Sequence, residues 1–209
     1  GPIVSGGLPD ETGAYTAPFA LDLDGNSVWD FQEAGIAASI TTDPVDQDFV
    51  LGGSATFTAT AVADTYQWEV SNDGGTNWVD VVDDANNTGA STDALTVSNL
   101  TAADSNNVYR LKVDYLSFAC DTVQAVSAEA GFNMLITATT VDVTCNADSD
   151  GSIDITVLGG ILPYTYAWTT ADGSGLVATD EDQTGLTAGT YDVTVRDGNG
   201  ETITGSYVI

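Results

Sequence analysis

The sequence predicts an all-β protein: two tandem antiparallel β-sandwich domains preceded by a short segment with an acidic loop. Three observations predict it. Apolar residues recur at every second position in many short runs, the pattern of a strand with one buried face. Turn formers such as Asn72-Asp73-Gly74-Gly75, Asp172-Gly173-Ser174-Gly175 and Asp197-Gly198-Asn199-Gly200 separate those runs. The chain has 209 residues, 43% of them hydrophobic, which is enough for real cores despite a formal net charge of −28. Length alone, at about 150 residues per domain, favours two small domains or one large sandwich.

The elements follow in chain order. Residues 1–35 are punctuated by proline and glycine, weakly periodic, and end in an acid-rich loop. The stretch from Phe31 to Ser39 offers a short helical run. Ala55, Phe57, Ala59 and Ala61 then alternate with Thr56, Thr58 and Thr60, and Tyr66, Trp68 and Val70 with Gln67 and Glu69. Leu95 and Val97 mark another strand, and Tyr109, Leu111 and Val113 alternate with Arg110, Lys112 and Asp114. From Gly131 to Thr140 there is neither charge nor proline, so one strand is expected to run into the next without a flexible linker. The alternation returns at Ile153, Ile155 and Val157 and at Tyr191, Val193 and Val195. The expected division is 1–35 as an N-terminal extension, 36–133 as the first sandwich and 134–209 as the second, in an extended, rod-like tandem.

Composition excludes several functions. With 31 Asp and Glu against 3 Lys and Arg, the chain repels nucleic-acid phosphates and anionic membrane surfaces. The longest apolar run is three residues, as at Met134-Leu135-Ile136, so no segment reads as a membrane-spanning helix. No signal-peptide pattern opens the chain, and Gly1-Pro2 reads as the remnant of tag cleavage on an excised fragment. With no histidine, one lysine (Lys112) and two cysteines, Ser/His/Asp triads, Cys/His pairs and imidazole metal sites are all out of reach. A carboxylate pair of the kind that hydrolyses glycosides is the one catalytic device left. The balance is against an enzyme.

The acidic loop is the main candidate site. Asp22-Leu23-Asp24-Gly25-Asn26-Ser27-Val28-Trp29-Asp30-Phe31-Gln32-Glu33 places oxygens at positions 1, 3, 5, 9 and 12 of twelve, the spacing by which EF-hand-type loops gather a calcium ion. Asp22, Asp24 and Asn26 supply one side-chain oxygen each, Val28 its carbonyl, Asp30 a direct or water-mediated contact, and Glu33 both carboxylate oxygens. Ser27 stands where such loops carry glycine. The loop resembles those of dockerins and thrombospondin type-3 repeats; the alternative is an acid-rich turn that stays solvated. For Asp148, Asp150 and Asp154, and for Asp197, Asn199 and Glu201, a plain turn is the favoured reading.

Other residues take structural readings. Trp68 and Tyr66 belong to the core face of their strand, and Arg110 and Lys112 are expected to pair with acids across strands. Trp78 follows a polar hairpin and either covers a sheet edge or forms a sugar-stacking platform. Cys120 and Cys145 have 24 residues between them. A strand of about ten residues, ~33 Å, would separate Cys120 from the domain entrance that holds Cys145. A bridge needs their Cα atoms within ~7 Å, so two unpaired thiols are expected.

Two resemblances add to this reading. Residues 52–130 resemble immunoglobulin-like modules of large secreted Bacteroidetes proteins, with Trp68 as the strand-C tryptophan and Tyr109 as the corner tyrosine. Leu111 stands where the second cysteine of that fold is usual. Residues 141–208 resemble the SprB repeat of gliding-motility adhesins. The resemblance rests on Asp150-Gly151-Ser152-Ile153, Gly159-Gly160, Pro163-Tyr164-Thr165-Tyr166-Ala167-Trp168, Gly185-Leu186, Ala188-Gly189-Thr190-Tyr191-Asp192-Val193-Thr194-Val195 and Asp197-Gly198-Asn199-Gly200. Glu201 stands where such repeats carry a partner for the cysteine here represented by Cys145. The resemblance implies cargo of the type IX secretion system, placed outside the cell at the outer-membrane surface. It also implies adhesion to a surface or polysaccharide through a larger parent protein, with neighbouring repeats of the same chain as partners. The expected fragment is a monomeric, non-catalytic stalk stiffened by Ca2+. The alternative is a carbohydrate-binding accessory module of a secreted protein.

Overall fold

The computed structural model describes residues 20–21, 30–31, 37–116, 122–145 and 148–209. The strands in chain order are β1 (Ala20–Leu21), β2 (Asp30–Phe31), β3 (Ser39–Thr42), β4 (Gln47–Asp48), β5 (Ser54–Thr58), β6 (Thr60–Val62), β7 (Thr65–Ser71), β8 (Val79–Asp80), β9 (Asn87–Thr88) and β10 (Ala94–Ser98). They continue as β11 (Val108–Leu116), β12 (Thr122–Val126), β13 (Phe132–Asn133), β14 (Leu135–Val141), β15 (Gly151–Leu158), β16 (Thr165–Thr170), β17 (Gln183–Leu186), β18 (Thr190–Arg196) and β19 (Thr202–Val208). A single 3-10 turn, Ala102–Asp104, is the helical element among the described residues. Of the helical run expected over 31–39, residues 32–36 lie outside the described residues, and its two ends are strand instead: Phe31 pairs in β2 and Ser39 opens β3. A β-branched Ile-Thr-Thr run follows Ser39, and such residues gain more by packing on a pleated surface than in a helical turn.

The first sandwich faces a β5-β10-β9 sheet against a β12-β11-β7-β8 sheet. The second faces β14-β15-β17 against β16-β18-β19. Alternation in the sequence becomes alternation in burial. Ala55 and Phe57 are buried on β5 between exposed Ser54, Thr56 and Thr58, and Ile153, Ile155 and Val157 are buried on β15. Each sandwich has its own core. Phe57, Trp68, Leu95, Leu111 and Val113 are fully enclosed in the first, and Ile153, Leu186, Tyr191 and Val195 in the second. Leu111 packs in the first core as a fully buried apolar residue, so that domain is held by apolar packing at the position usual for a disulfide.

Both cores are built around a tryptophan with its N–H satisfied. Trp68 Nε1 donates to the Thr92 carbonyl at 2.9 Å, and Trp168 Nε1 donates to the Asp180 carbonyl at 2.9 Å. An indole buried without such a partner would leave an unsatisfied donor costing roughly 1–3 kcal/mol. Tyr191 and Tyr109, each buried in one of the two cores, are held differently. Tyr191 donates back to the Thr187 and Ser174 carbonyls, both at 2.8 Å, tying strand β18 to the loop before it. Tyr109 is pushed up to about 12 by burial, with Asn107 hydrogen-bonded to its phenol, and its ring lies 4.7 Å from Phe57.

Candidate functional site: the joint between the sandwiches

Of the expected calcium ligands, Asp22, Asp24, Asn26, Val28 and Glu33 lie outside the described residues. Asp30 sits in β2, which pairs antiparallel with β1 in the register Ala20↔Phe31 and Leu21↔Asp30. The two turn clusters are held by their own hydrogen bonds. Thr144 bonds Asp150 at 2.6 Å and Asp148 at 3.2 Å through its hydroxyl. Asp197 is buried and accepts from the backbone N–H groups of Ile161, Asn199 and Glu201 at 2.9–3.0 Å. Among the described residues no group of three or more Cys, Asp or Glu side chains is arranged to hold a metal ion. Cys145 is free and exposed; Cys120 lies outside the described residues.

Trp78 is half-buried beside β8. Its indole N–H donates to the Gly75 carbonyl at 2.9 Å, and the Arg110 guanidinium carbon stands 4.0 Å from its ring centre, a cation–π contact. Arg110 and Lys112 pair across strands as expected. Glu69 lies directly opposite Arg110 in the β7–β11 register and receives Arg110 Nε at 2.7 Å and Lys112 Nζ at 3.0 Å, while Lys112 also reaches Asp80 at 3.4 Å. Burial works against ionisation of Glu69, but the hydrogen bonds from the two cations outweigh it and hold its carboxyl below the usual range.

The most specific construction in the described residues is the connection between the sandwiches. Phe132 on β13 is buried in the first core, its ring edge-on to Phe49 and Phe57 at 5.3 and 5.6 Å. Asn133 is clamped by a 2.8 Å bond from its side chain to Asp48, and after Met134 the chain is already in β14 of the second sandwich. The turn after β15 then folds back. The Gly160 N–H donates to the Phe132 carbonyl at 2.7 Å, and Leu158 packs against the first core. From the other side Asn106, two residues beyond the 3-10 turn, donates through Nδ2 to the Tyr164 hydroxyl at 2.6 Å and the Gly160 carbonyl at 3.1 Å. Tyr164 in turn donates to the Gly159 carbonyl.

Glycine is required at this turn. Gly159 and Gly160 have φ of +78° and +72°. A Cβ on Gly159 would meet the Asn133 carbonyl oxygen at 2.1 Å. The sequence carries a signal for half of this, since Gly159-Gly160 and Pro163-Tyr164 stand out as turn residues. It carries none for Asn106, which lies 58 positions from the hydroxyl it holds.

Comparison with known proteins bears on the second sandwich first. Residues 137–173 match the SprB repeat. The match runs from β14 past the end of β16, so the Gly159-Gly160 turn and Tyr164 fall within the SprB repeat and Asn106 outside it. No curated protein matches the chain. Among solved structures, one on the structural basis for Dscam isoform specificity shares 14% identity at a TM-score of 0.50, covering 84% of this chain and 46% of that one. The N-terminal four Ig domains of Dscam1 isoform 1.9 share 16% identity at a TM-score of 0.48, covering 84% and 46%. An amphioxus IgVJ-C2 molecule shares 18% at 0.35, covering 79% and 99%. The chain thus spans a little under half the length of the Dscam chains it matches. The likeness shows the fold: tandem immunoglobulin-like sandwiches, with an SprB-type repeat in the second.

Proposed function

We propose that the chain is a spacer segment of a large secreted surface adhesin, exported through the type IX route in a gliding bacterium of the Bacteroidetes and displayed at the outer membrane. SprB repeats and immunoglobulin-like domains are typical of non-catalytic, extracellular or cell-surface modules, which supports the broad class. The observation that carries the spacer reading is the linker-free joint. One residue separates β13 from β14, and three interdomain hydrogen bonds, Gly160 to Phe132 and Asn106 to both Gly160 and Tyr164, brace it. A domain pair joined this way transmits load and orientation, whereas a flexible linker would dissipate both. The flanking partners are further repeats of the same chain, and the parent protein's other regions meet the target surface or polysaccharide.

Calcium is the second part of the proposal. The Asp22–Glu33 loop would hold one ion and stiffen the entrance to the first sandwich, its carboxylates losing mutual repulsion on binding. Thermal melts in millimolar calcium and in EDTA, with Asp24→Ala as control, test it. At 100 times the dissociation constant, calcium adds ~2.7 kcal/mol by linkage, seen as a midpoint raised in the wild type and unmoved in the variant. Superimposable curves in calcium and EDTA would reduce the loop to a solvated turn.

A further inference from the structure

We infer a second, independent site: a cleft for a neutral saccharide at the open edge of the first sandwich. Where β8 and β9 end their two sheets, the sandwich is unsealed and leaves a cleft of about 490 Å³, within the ~300–1,000 Å³ typical of small-molecule sites. Its floor is apolar, made by Val70, Val81, Val97 and Tyr109, and Val82 stands exposed at the mouth. Its rim includes four carboxamides, Asn86, Asn87, Asn99 and Asn107, beside three carboxylates.

The rim is set before any ligand arrives. Asp84 accepts the backbone N–H groups of Asn86 and Asn87, both at 2.7 Å. Asn99 holds Asn86 through Nδ2 to Oδ1 at 2.9 Å and takes φ of +55°, a left-handed conformation. Asp104, tied to Thr101 at 2.6 Å, anchors the Asn107 side. A rim already ordered loses little conformational entropy on binding.

The lining selects the ligand class. Asp80, Asp84 and Asp104 line the cleft and no lysine or arginine does, so an anion is repelled. A wholly apolar ligand would strip water from the carboxamides and return no hydrogen bonds. A sugar matches both surfaces: its C–H face covers the valines, and its vicinal hydroxyls both donate to and accept from the amides. This site goes beyond the spacer reading and does not rest on it. It would let this segment contribute adhesion of its own, at a place distinct from Trp78.

The test is a titration of the full chain, followed by amide NMR shifts, with cellohexaose, laminarihexaose, xylohexaose, mannohexaose and chitohexaose. One of these should shift the amides of Asn86, Asn87 and Asn99 with a saturating curve. Asn86→Ala should weaken it about tenfold, and Val82→Arg, at a mouth position where folding is not at stake, should block it, with Trp78→Ala binding as wild type. The inference is overturned if no hexaose shifts those amides. It is equally overturned if Trp78→Ala abolishes binding while Val82→Arg keeps it, or if tetralysine alone moves the same signals, which would make the cleft a trap for cations.

Discussion

At the scale of single residues, Glu69 shows how so acidic a chain uses its few cations. Its side chain is 10% exposed, and two of the chain's three cations converge on it. Removing one member of such a cluster leaves a charge without its partner, which costs more than the pairing contributes. Arg110 and Lys112 each keep about a quarter of their side chains in water, so the cost of Glu69→Gln is discounted to about 1–3 kcal/mol at pH 7. The sign of its pH dependence follows from the lowered carboxyl pKa. The stability it supplies is present above the ordinary value of 4.5 and drains away as pH falls below it. Denaturant unfolding at pH 7 and pH 3 should therefore show wild type and Glu69→Gln well apart at the first and closer together at the second.

At the scale of elements, alternation made much of the fold legible. The period of two in β5, β15 and β18 places Phe57, Ile153 and Val193 in their cores, because a strand has no other way to bury one face. The uncharged run 131–140 also reads correctly as strand into strand, since β13 and β14 are separated by Met134 alone. What the sequence hides is the brace between domains. Asn106 looks like any turn asparagine, and its partner on Tyr164 is fixed only once two sandwiches are docked. At the described ends of the run 31–39, Phe31 and Ser39 are strand for a related reason: a few helix-compatible residues count for little where a neighbouring strand offers a pairing edge. The Gly159 turn yields a prediction at this scale. Gly159→Ala must place a side chain at positive φ and against the Asn133 carbonyl, and should cost about 2–4 kcal/mol in denaturant unfolding. A stability equal to wild type would mean the turn and strand β13 do not meet as described.

At the scale of the whole molecule, charge and cores set the behaviour. A net charge of −28 makes the compact state repel itself, and the exposed carboxylates have few cations to answer them. Sodium chloride raised from low ionic strength to about 0.5 M shortens the Debye length to a few Å, so the melting midpoint should rise with salt before any specific ion is considered. A midpoint that is flat or falls with salt would show that the surface acids are already neutralised by contacts within the fold. Two separate cores also mean that the joint alone couples the sandwiches, and the spacer account stands on that coupling. The measurement that bears on it most directly is backbone 15N relaxation across both sandwiches, in the wild type and in Asn106→Ala. The account predicts one rotational correlation time shared by residues 37–209 in the wild type, with the two sandwiches reporting separate, shorter times once Asn106 is truncated. Two independent correlation times in the wild type would contradict it, because a joint that swivels freely cannot serve as a stiff spacer.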